Sequence, residues 1–359
     1  MSNLRKKLYK PLLVLIIIII AFVITGYFLQ RLNISHSREK HILSPQFGFI
    51  EYKNGYILWR NYPSTGIRFV YDSNPRGYFG TNNEIDHHTN SWGFRGEEFF
   101  PSKSRNTFRI AFLGDSYTFG EGVKDTDTYA EQTAMQLKKK YSSSTIKLES
   151  YNFGVGGYSF IHEWLLLNDV VLKTKPDVIV FKIDIADFET PLFQMDPRTK
   201  MIYRAYRGPT SSDLILNLPP DHWLLKYRVF EMPWQAIRWL DQMRKIKAYY
   251  RWLMTDKNPG RQQNLSALHS SLQTCRERNI KCYVVCFPVQ NQLVDEHTKI
   301  RKEVESEGVF FIDLLPHVKH RYFQKLHVHP TDGHPNEIMH ALVAKLLADK
   351  IAEDFPCEH

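Results

Sequence analysis

Cysteine is scarce in this sequence: four residues in a chain of 359, none of them arranged as C-x-x-C. So few cysteines in a chain of this length do not make a disulfide scaffold, and the spacing speaks against a zinc ribbon. Cys282 and Cys286 lie in one apolar run, where we expect burial as small hydrophobic residues. Internal repeats and low-complexity tracts are also lacking, so neither a solenoid nor a largely disordered chain is indicated.

Complete sets of metal ligands are lacking as well. Two histidine-rich segments stand out, Asp86-His87-His88 and His327-x-His329, but neither supplies a full ligand set at a recognised spacing. We therefore interpret these histidines as solvent-exposed loop residues, and we expect neither a metal nor a cofactor.

Long hydrophobic runs are lacking with one exception, near the N-terminus. Residues 11–29 carry no charge and are long enough to span a bilayer. Basic residues precede the run, which by the positive-inside rule places the N-terminus in the cytoplasm; they are Arg5, Lys6, Lys7 and Lys10. The sequence predicts a single-pass anchor in the cytoplasmic (inner) membrane, with the following domain outside the cytoplasm. A cleavable signal peptide is the alternative, although no small-x-small site is evident.

The composition is that of a folded protein, with 43% hydrophobic and 24% charged residues. Between residues 198 and 261, 13 Lys and Arg stand against 5 Asp and Glu, so nearly all of the net charge of +9 lies there. Apolar residues of this segment share one helical face: Trp239, Met243, Ile246, Tyr250 and Leu253. We interpret it as a packed helix with a solvated basic face; the alternative is a lid or a surface for anionic headgroups or an acidic glycan. Nucleic acid is not expected outside the cytoplasm.

Five apolar runs have the length of buried strands and alternate with segments of helical periodicity. They lie at 108–113, 146–153, 177–183, 280–287 and 308–313. Strands that alternate with helices predict an α/β fold, with a parallel sheet covered on both faces in three layers. Polar residues just after the strands then meet at the carboxyl edge of the sheet, near the point where the strand order reverses.

Changes in composition, and the alternation of apolar and polar residues at the period of a strand, indicate how the chain is organised. We predict a cytoplasmic N-terminus at 1–10, the anchor at 11–29, a connector at 30–55, a small β-rich preface at 56–107, and the α/β domain at 108–355 with a helical basic insertion at 188–262.

Two turns carry the chemistry. The first apolar run ends in a Gly-Asp-Ser turn at Ser116, and a serine at such a strand-to-helix turn suits a nucleophile whose own N–H helps to hold an oxyanion. Gly-Asp-Ser is also an ordinary turn sequence. Near the C-terminus an Asp-Gly-His turn precedes an amphipathic helix, and its histidine, His334, suits a general base oriented by a carboxylate. The alternative for His334 is a capping or packing residue.

Between these two turns, the second apolar run leads into the Gly-rich segment 151–158, for which a flexible loop is the alternative. In their order along the chain the three motifs, over roughly residues 90–350, resemble the SGNH (GDSL-type) hydrolase superfamily, and the lead-in at 89–96 resembles its membrane-anchored bacterial branch. The resemblance implies the flavodoxin-like SGNH hydrolase fold. It also implies that Ser116 is the nucleophile, Gly157 an oxyanion donor and His334 the base, with the acid just before it.

The sequence departs from the family pattern in two places. The usual Asp-x-x-His spacing puts the acid at Thr331, so the acid candidate becomes Asp332, one residue closer. The third block usually ends in Gly-x-Asn-Asp, and Ala186 stands where that oxyanion-donating asparagine belongs. Loss of one such donor typically lowers turnover about 100- to 1000-fold. The other candidate site residues are Asn152, as a substitute donor, Asp184, which when ionised accepts rather than donates hydrogen bonds, and Asp187.

The sequence therefore predicts a membrane-anchored serine esterase or O-acyltransferase that acts on acyl esters, and the resemblance implies that these are esters of an envelope carbohydrate. Its expected partners are the acylated carbohydrate or another ester substrate, and the membrane. A catalytically degenerate glycan-binding or assembly protein with the same fold is an alternative, supported by Ala186. A lipid esterase is another, suggested by the anchor and the Trp-rich insertion.

Overall fold

A computed structural model of the protein describes residues 41–42, 47–191, 193–195, 199, 202–204, 240–241, 244–288, 293–318 and 323–356. The chain forms two compact units, one of Met1–Ser37 with Gly208–Tyr249 and one of Arg38–Arg207 with Tyr250–His359. The described residues of the first unit, 240–241 and 244–249, are helical. Within the described ranges no helix is long and apolar enough to cross a membrane. The predicted anchor at 11–29 lies outside those ranges, as does most of the predicted insertion.

The strands of the second unit are β1 (His41–Ile42), β2 (Phe47–Lys53), β3 (Tyr56–Asn61), β4 (Gly66–Val70), β5 (Glu84–His88), β6 (Thr107–Gly114), β7 (Lys147–Gly154), β8 (Val178–Ile183), β9 (Phe193–Met195), β10 (Ile202–Arg204), β11 (Lys281–Cys286), β12 (Phe310–Asp313), β13 (His327–His329) and β14 (Asp332–Pro335). The helices are α1 (Ser116–Phe119), α2 (Tyr129–Lys140), α3 (Phe160–Asp169), α4 (Pro259–Glu277), α5 (Val294–Glu305), α6 (Leu315–Val318) and α7 (Glu337–Asp354).

Five parallel strands form the central sheet, in the order β12–β11–β8–β6–β7. Each strand coincides with one of the five predicted apolar runs, and the α/β prediction is confirmed. Of the five strands, β6 comes first in the chain, and the next, β7, pairs with it at the edge of the sheet. The third, β8, pairs with the other side of β6. This is the flavodoxin-like order, and its strand order reverses between β6 and β8, where open α/β sheets bind ligands.

Helices cover both faces of this sheet. On one face, Ile110 and Phe112 of β6 pack into a core with residues of α2 and α7, among them Leu137 and Val343. On the other face, α3 and α4 pack against each other and against β6 and β11. Strand β8 is buried along its whole length, as a strand covered on both faces should be. The three predicted layers are thus present.

The N-terminal β region begins earlier than the sequence predicted. Strand β2 lies inside the segment 30–55, which was expected to be a connector, and pairs antiparallel with β3. The turn between them is Asn54-Gly55, with positive φ of 50° and 87° at the two residues. Asn-Gly is the preferred pair for such a hairpin turn because both residues tolerate that conformation. A second small sheet is formed by β1, β4 and β5.

Two of the histidines interpreted as solvent-exposed loop residues are buried, so that interpretation is wrong for them. His87 lies within β5, and its Nε2 accepts the Gly122 N–H at 3.0 Å. His329 is buried at the end of β13, with Ser73 Oγ 2.8 Å from its Nε2. His88, in contrast, is exposed and pairs with Asp125. Histidine accepts burial where its ring nitrogens find polar partners, and both rings do so here.

Candidate active site

The turn at Ser116 follows β6, the strand between β7 and β8 in the sheet. Strand β6 ends at Gly114, and Asp115 caps the single-turn helix α1 by accepting the Tyr117 N–H at 2.8 Å. Helix α1 lies very close to β7: a Cβ atom at Gly154 would lie only 2.2 Å from the Phe119 nitrogen. Glycine at position 154 therefore allows α1 to pack closely against β7. Ser116 lies at the carboxyl end of β6, next to the point where the strand order reverses.

The structure brings together the three residues predicted as nucleophile, base and acid. Oγ of Ser116 lies 2.9 Å from Nε2 of His334. On the other side of the ring, Nδ1 of His334 is hydrogen-bonded to Oδ1 of Asp332, which also accepts the His334 main-chain N–H at 3.2 Å. All three therefore lie on one hydrogen-bonded line, although they are up to 218 positions apart in the chain. The shifted turn does bring the Asp332 carboxylate to the ring.

A second carboxylate faces the same imidazole. Oε2 of Glu121 lies 3.6 Å from Nε2 of His334, on the side of Ser116, and Glu121 is buried. The ring of Tyr117 meets the imidazole edge-on, with ring centroids 5.6 Å apart. The sequence analysis did not select Glu121, because a single glutamate in a Gly-rich turn carries no pattern that points to a site.

Ser116 and His334 open onto a cavity of about 340 Å³. Its walls are formed by Asp115, Ser116, Tyr117, Gly157, Tyr158, Asp184, Ala186, Tyr250, Thr331, Asp332, Gly333 and His334. Gly157 adopts a left-handed φ of 82°, which glycine takes without strain. The two predicted oxyanion donors, the N–H groups of Ser116 and Gly157, thus belong to residues on the same cavity wall. Tyr158 donates its hydroxyl hydrogen to the Trp59 carbonyl at 2.6 Å.

The additional candidates divide into two groups. Ala186 and Asp184 both line the cavity. Asn152 does not line it: the side-chain amide donates to the Thr118 carbonyl at 2.8 Å and its Oδ1 accepts the Gly154 N–H at 2.9 Å. Its carboxamide therefore ties β7 to α1 instead of facing the cavity. Asp187 is buried behind the wall, where its Oδ2 accepts the Asp184 N–H at 2.7 Å.

Lys182 is fully buried in β8, beneath the Ser116 turn. No role for it was predicted from the sequence. Its Nζ lies 2.8 Å from Asp115, 2.6 Å from Asp184 and 3.1 Å from Asp187. Burial acts to lower the pKa of this ammonium, but the three carboxylates hold it well above its ordinary value. Burial also raises the pKa values of Asp184 and Asp187, against the pull of Lys182. A lysine inside an otherwise apolar strand run was the available signal for this buried cluster.

No protein-family model matches the chain, and no curated protein matches it. Similar solved structures include a two-domain esterase active on acetylated mannans, with 15% identity and a TM-score of 0.43 over 69% of this chain and 50% of that one. An acetyl xylan esterase has 17% identity and a TM-score of 0.40 over 69% and 100% of the two chains. A protein assigned to the G-D-S-L family of lipolytic proteins, from Desulfitobacterium hafniense DCB-2, has 11% identity and a TM-score of 0.38 over 67% and 98%. The chain spans about half the length of the two-domain esterase, and all three neighbours are distant in sequence.

Proposed function

We propose that the protein cleaves or transfers acyl groups of neutral esters through a serine nucleophile, with Ser116, His334 and Asp332 as the catalytic residues. The observation that carries the proposal is the hydrogen-bonded line from Ser116 Oγ through both ring nitrogens of His334 to Asp332. Nucleophile, base and orienting carboxylate within hydrogen-bond reach are the arrangement that this chemistry requires. The line opens onto a cavity of the size of small-molecule sites.

The proposed reaction proceeds through an acyl-serine intermediate. Ser116 Oγ attacks the ester carbonyl carbon while His334 Nε2 takes the hydroxyl proton, and Asp332 stabilises the imidazolium that forms. The N–H groups of Ser116 and Gly157 bind the oxyanion of the tetrahedral intermediate. His334 then returns the proton to the leaving alcohol oxygen as the carbon–oxygen bond breaks. Water, or a second hydroxyl in the case of transfer, then attacks the acyl-serine, and its proton passes to His334. As the bond between the acyl carbon and Oγ breaks, His334 returns that proton to Ser116 Oγ, and the acid or the new ester leaves.

The carboxylates of the cavity bear on the substrate. Asp115 and Asp184 line it, which sets two carboxylates against the single buried ammonium of Lys182. An anionic acyl group would meet like charge there, at a cost of several kcal/mol in the least favourable case. A neutral acyl group is therefore the substrate we propose, and the SGNH resemblance of the three sequence motifs favours an ester on an envelope carbohydrate.

The test is labelling of the full-length chain, in detergent, with a fluorophosphonate that reacts with activated serines. We expect labelling of the natural sequence and none of Ser116→Ala. Ser73→Ala is the matched control, because Ser73 Oγ also contacts a histidine Nε2, at 2.8 Å on His329, but does not line the cavity. Labelling that survives Ser116→Ala, or that depends on Ser73, would contradict the proposal. A chain that neither takes the label nor hydrolyses any neutral ester would favour the glycan-binding alternative.

Membrane anchoring through residues 11–29 is part of the same proposal, with the catalytic domain outside the cytoplasm. It is supported by the uncharged run and by the basic residues before it. A periplasm-dependent reporter fused after His359 should be active, and a cytosol-dependent reporter at the same position should be silent. The reverse pattern would contradict the orientation. An envelope carbohydrate is the substrate within reach of an enzyme held on that side, whereas a lipid esterase would need an ester in the bilayer.

A further inference from the structure

A tyrosine from outside the central sheet contacts the carboxylate that faces His334. Tyr71 directly follows strand β4 of the N-terminal β region, and its hydroxyl donates to Oδ2 of Asp332 at 2.9 Å. The other oxygen of the same carboxylate, Oδ1, is bonded to His334 Nδ1. The carboxylate of Asp332 is therefore held from both sides, by the imidazole and by Tyr71.

The phenol ring of Tyr71 is fixed in place. Only 3% of the residue is exposed, and its ring stacks on that of Phe79 with centroids 4.4 Å apart and planes within 1° of parallel. Burial, and then the negative charge of Asp332, raise the pKa of Tyr71 well above its ordinary value. The hydroxyl therefore keeps its proton at neutral pH and serves as a donor to the carboxylate.

The same segment also holds the chain on the far side of His334. The Arg76 guanidinium contacts both oxygens of Glu337, the first residue of α7, at 2.6 and 2.7 Å. Residues 71–76 thus bond to the chain two positions before His334 and three positions after it. These contacts are made on either side of His334, in the turn that carries it. The N-terminal β region therefore contributes to the candidate site as well as to the fold.

We propose that Tyr71 is a positioning residue, which fixes the plane of the Asp332 carboxylate and takes up part of its negative charge. The two bonds to His334 hold one oxygen of the carboxylate, Oδ1, and the hydrogen bond from Tyr71 fixes the position of the other, Oδ2. Charge-assisted hydrogen bonds of this kind are about twice as strong as neutral ones. The role in turnover rests on the proposed esterase function; the effect on His334 does not.

The first experiment is Tyr71→Phe, which removes one oxygen and leaves the stacked ring. We expect kcat on a neutral ester to fall about tenfold, the factor that 1.4 kcal/mol of lost transition-state stabilisation gives, with KM little changed. The acid limb of the kcat/KM profile should move to higher pH. Without the hydrogen bond from Tyr71, the negative charge of Asp332 stabilises the imidazolium of His334 more strongly. Glu121 also faces His334, and its carboxylate is left unchanged in Tyr71→Phe.

Tyr78→Phe is the matched control. Tyr78 lies seven residues after Tyr71, and its hydroxyl also donates to an aspartate, Asp127 Oδ2 at 2.5 Å. That carboxylate belongs to the turn before α2 and does not face His334. We expect this variant to keep the kcat and the pH profile of the natural chain. In an Asp332→Asn background, Tyr71→Phe should cause little further loss, because residues that act as one unit give non-additive effects.

A measurement that needs no turnover separates this inference from the proposed function. The titration of His334 is followed by NMR of the imidazole, with the signal assigned by its loss in His334→Gln. We expect Tyr71→Phe to displace that titration to higher pH and Tyr78→Phe to leave it in place. An unchanged titration in Tyr71→Phe overturns the inference, as does an equal displacement in both variants, whether or not the protein hydrolyses esters. Absence of hydrolysis by the natural chain, in contrast, contradicts only the proposed function.

Discussion

The ammonium of Lys182 lies 2.8 Å from Oδ2 of Asp115, the residue directly before Ser116. Oδ1 of the same carboxylate accepts the Tyr117 N–H, on the other side of Ser116. A cation on β8 thus fixes the turn that follows β6, across the point where the strand order reverses. The position of the serine hydroxyl depends on this pair, since neither strand alone determines where the turn points.

We expect Lys182→Met to lower the free energy of unfolding by about 3–5 kcal/mol at pH 7, because it leaves two buried carboxylates, those of Asp184 and Asp187, without their cation. Equilibrium urea unfolding of the full chain measures the loss. Lys345→Met is the control: its ammonium pairs with Asp349 at 2.9 Å, but the side chain is 66% exposed, and such pairs contribute about 1 kcal/mol or less.

The deficit of Lys182→Met should also depend on pH. Burial already raises the pKa values of Asp184 and Asp187, and without the ammonium they rise further above those of the unfolded chain. A carboxyl group with a raised folded-state pKa destabilises the fold above that pKa and ceases to do so once it is protonated. The deficit should therefore be larger at pH 8 than at pH 5. A deficit that grows toward acid pH would contradict this account of the cluster.

A second prediction concerns Ser116 and His334. Each of Ser116→Ala and His334→Ala should remove most hydrolysis of a short-chain ester, and the double variant should be barely worse than either single one, because both act in the same proton-coupled attack. Steady-state kcat values for the four proteins give the answer. Losses that multiply in the double variant would mean that the 2.9 Å contact between Oγ and Nε2 is not used in one step.

A third prediction separates the two carboxylates near His334. Asp332→Asn should lower kcat by up to about 10⁴-fold, because an amide no longer holds the imidazole in the tautomer that accepts the serine proton. Glu121→Gln should cost far less, since Oε2 of Glu121 lies 3.6 Å from Nε2 and is no partner of Nδ1. Unfolding midpoints of both variants serve as the control for lost stability. A larger kcat loss in Glu121→Gln would transfer the role of the acid to that residue.

The sequence predicted the sheet because its strands are apolar runs. It predicted the site from two turns that suit a nucleophile and a base, and from the resemblance of three motifs to those of the SGNH hydrolases. Three features could not be read in that way. The Tyr71–Asp332 contact joins positions 261 apart, and no local pattern marks either end of it. Asn152 has the chemistry of an oxyanion donor, but its amide nitrogen donates to the Thr118 carbonyl of α1, and its Oδ1 accepts the Gly154 N–H of its own strand. The β2–β3 hairpin was marked by Asn54-Gly55, and the polar residues around that pair concealed it.

Ala186 carries the last prediction, because it lies on the cavity wall with Ser116 and Gly157. Its own N–H donates to Asp184 Oδ1 at 2.6 Å, so the side chain is the part of the residue that can be changed without breaking the turn. We expect Ala186→Asn to raise kcat on a simple neutral ester by up to about 100-fold, as one added oxyanion donor is worth roughly that factor. KM should change little, because such a donor acts chiefly once charge has developed on the oxygen.

Ala186→Asp is the matched control, since its side chain has the size of asparagine but, when ionised, donates no hydrogen bond. It should not gain activity, and neither should Asp184→Asn, which weakens the pairing with Lys182 at 2.6 Å. Steady-state kinetics of the three variants on one neutral ester decide between the possibilities. Equal gains in the Asn and Asp variants would mean that size and not hydrogen bonding limits the site. If Ala186→Asn gains nothing while the natural chain is active, the N–H groups of Ser116 and Gly157 already suffice for the oxyanion.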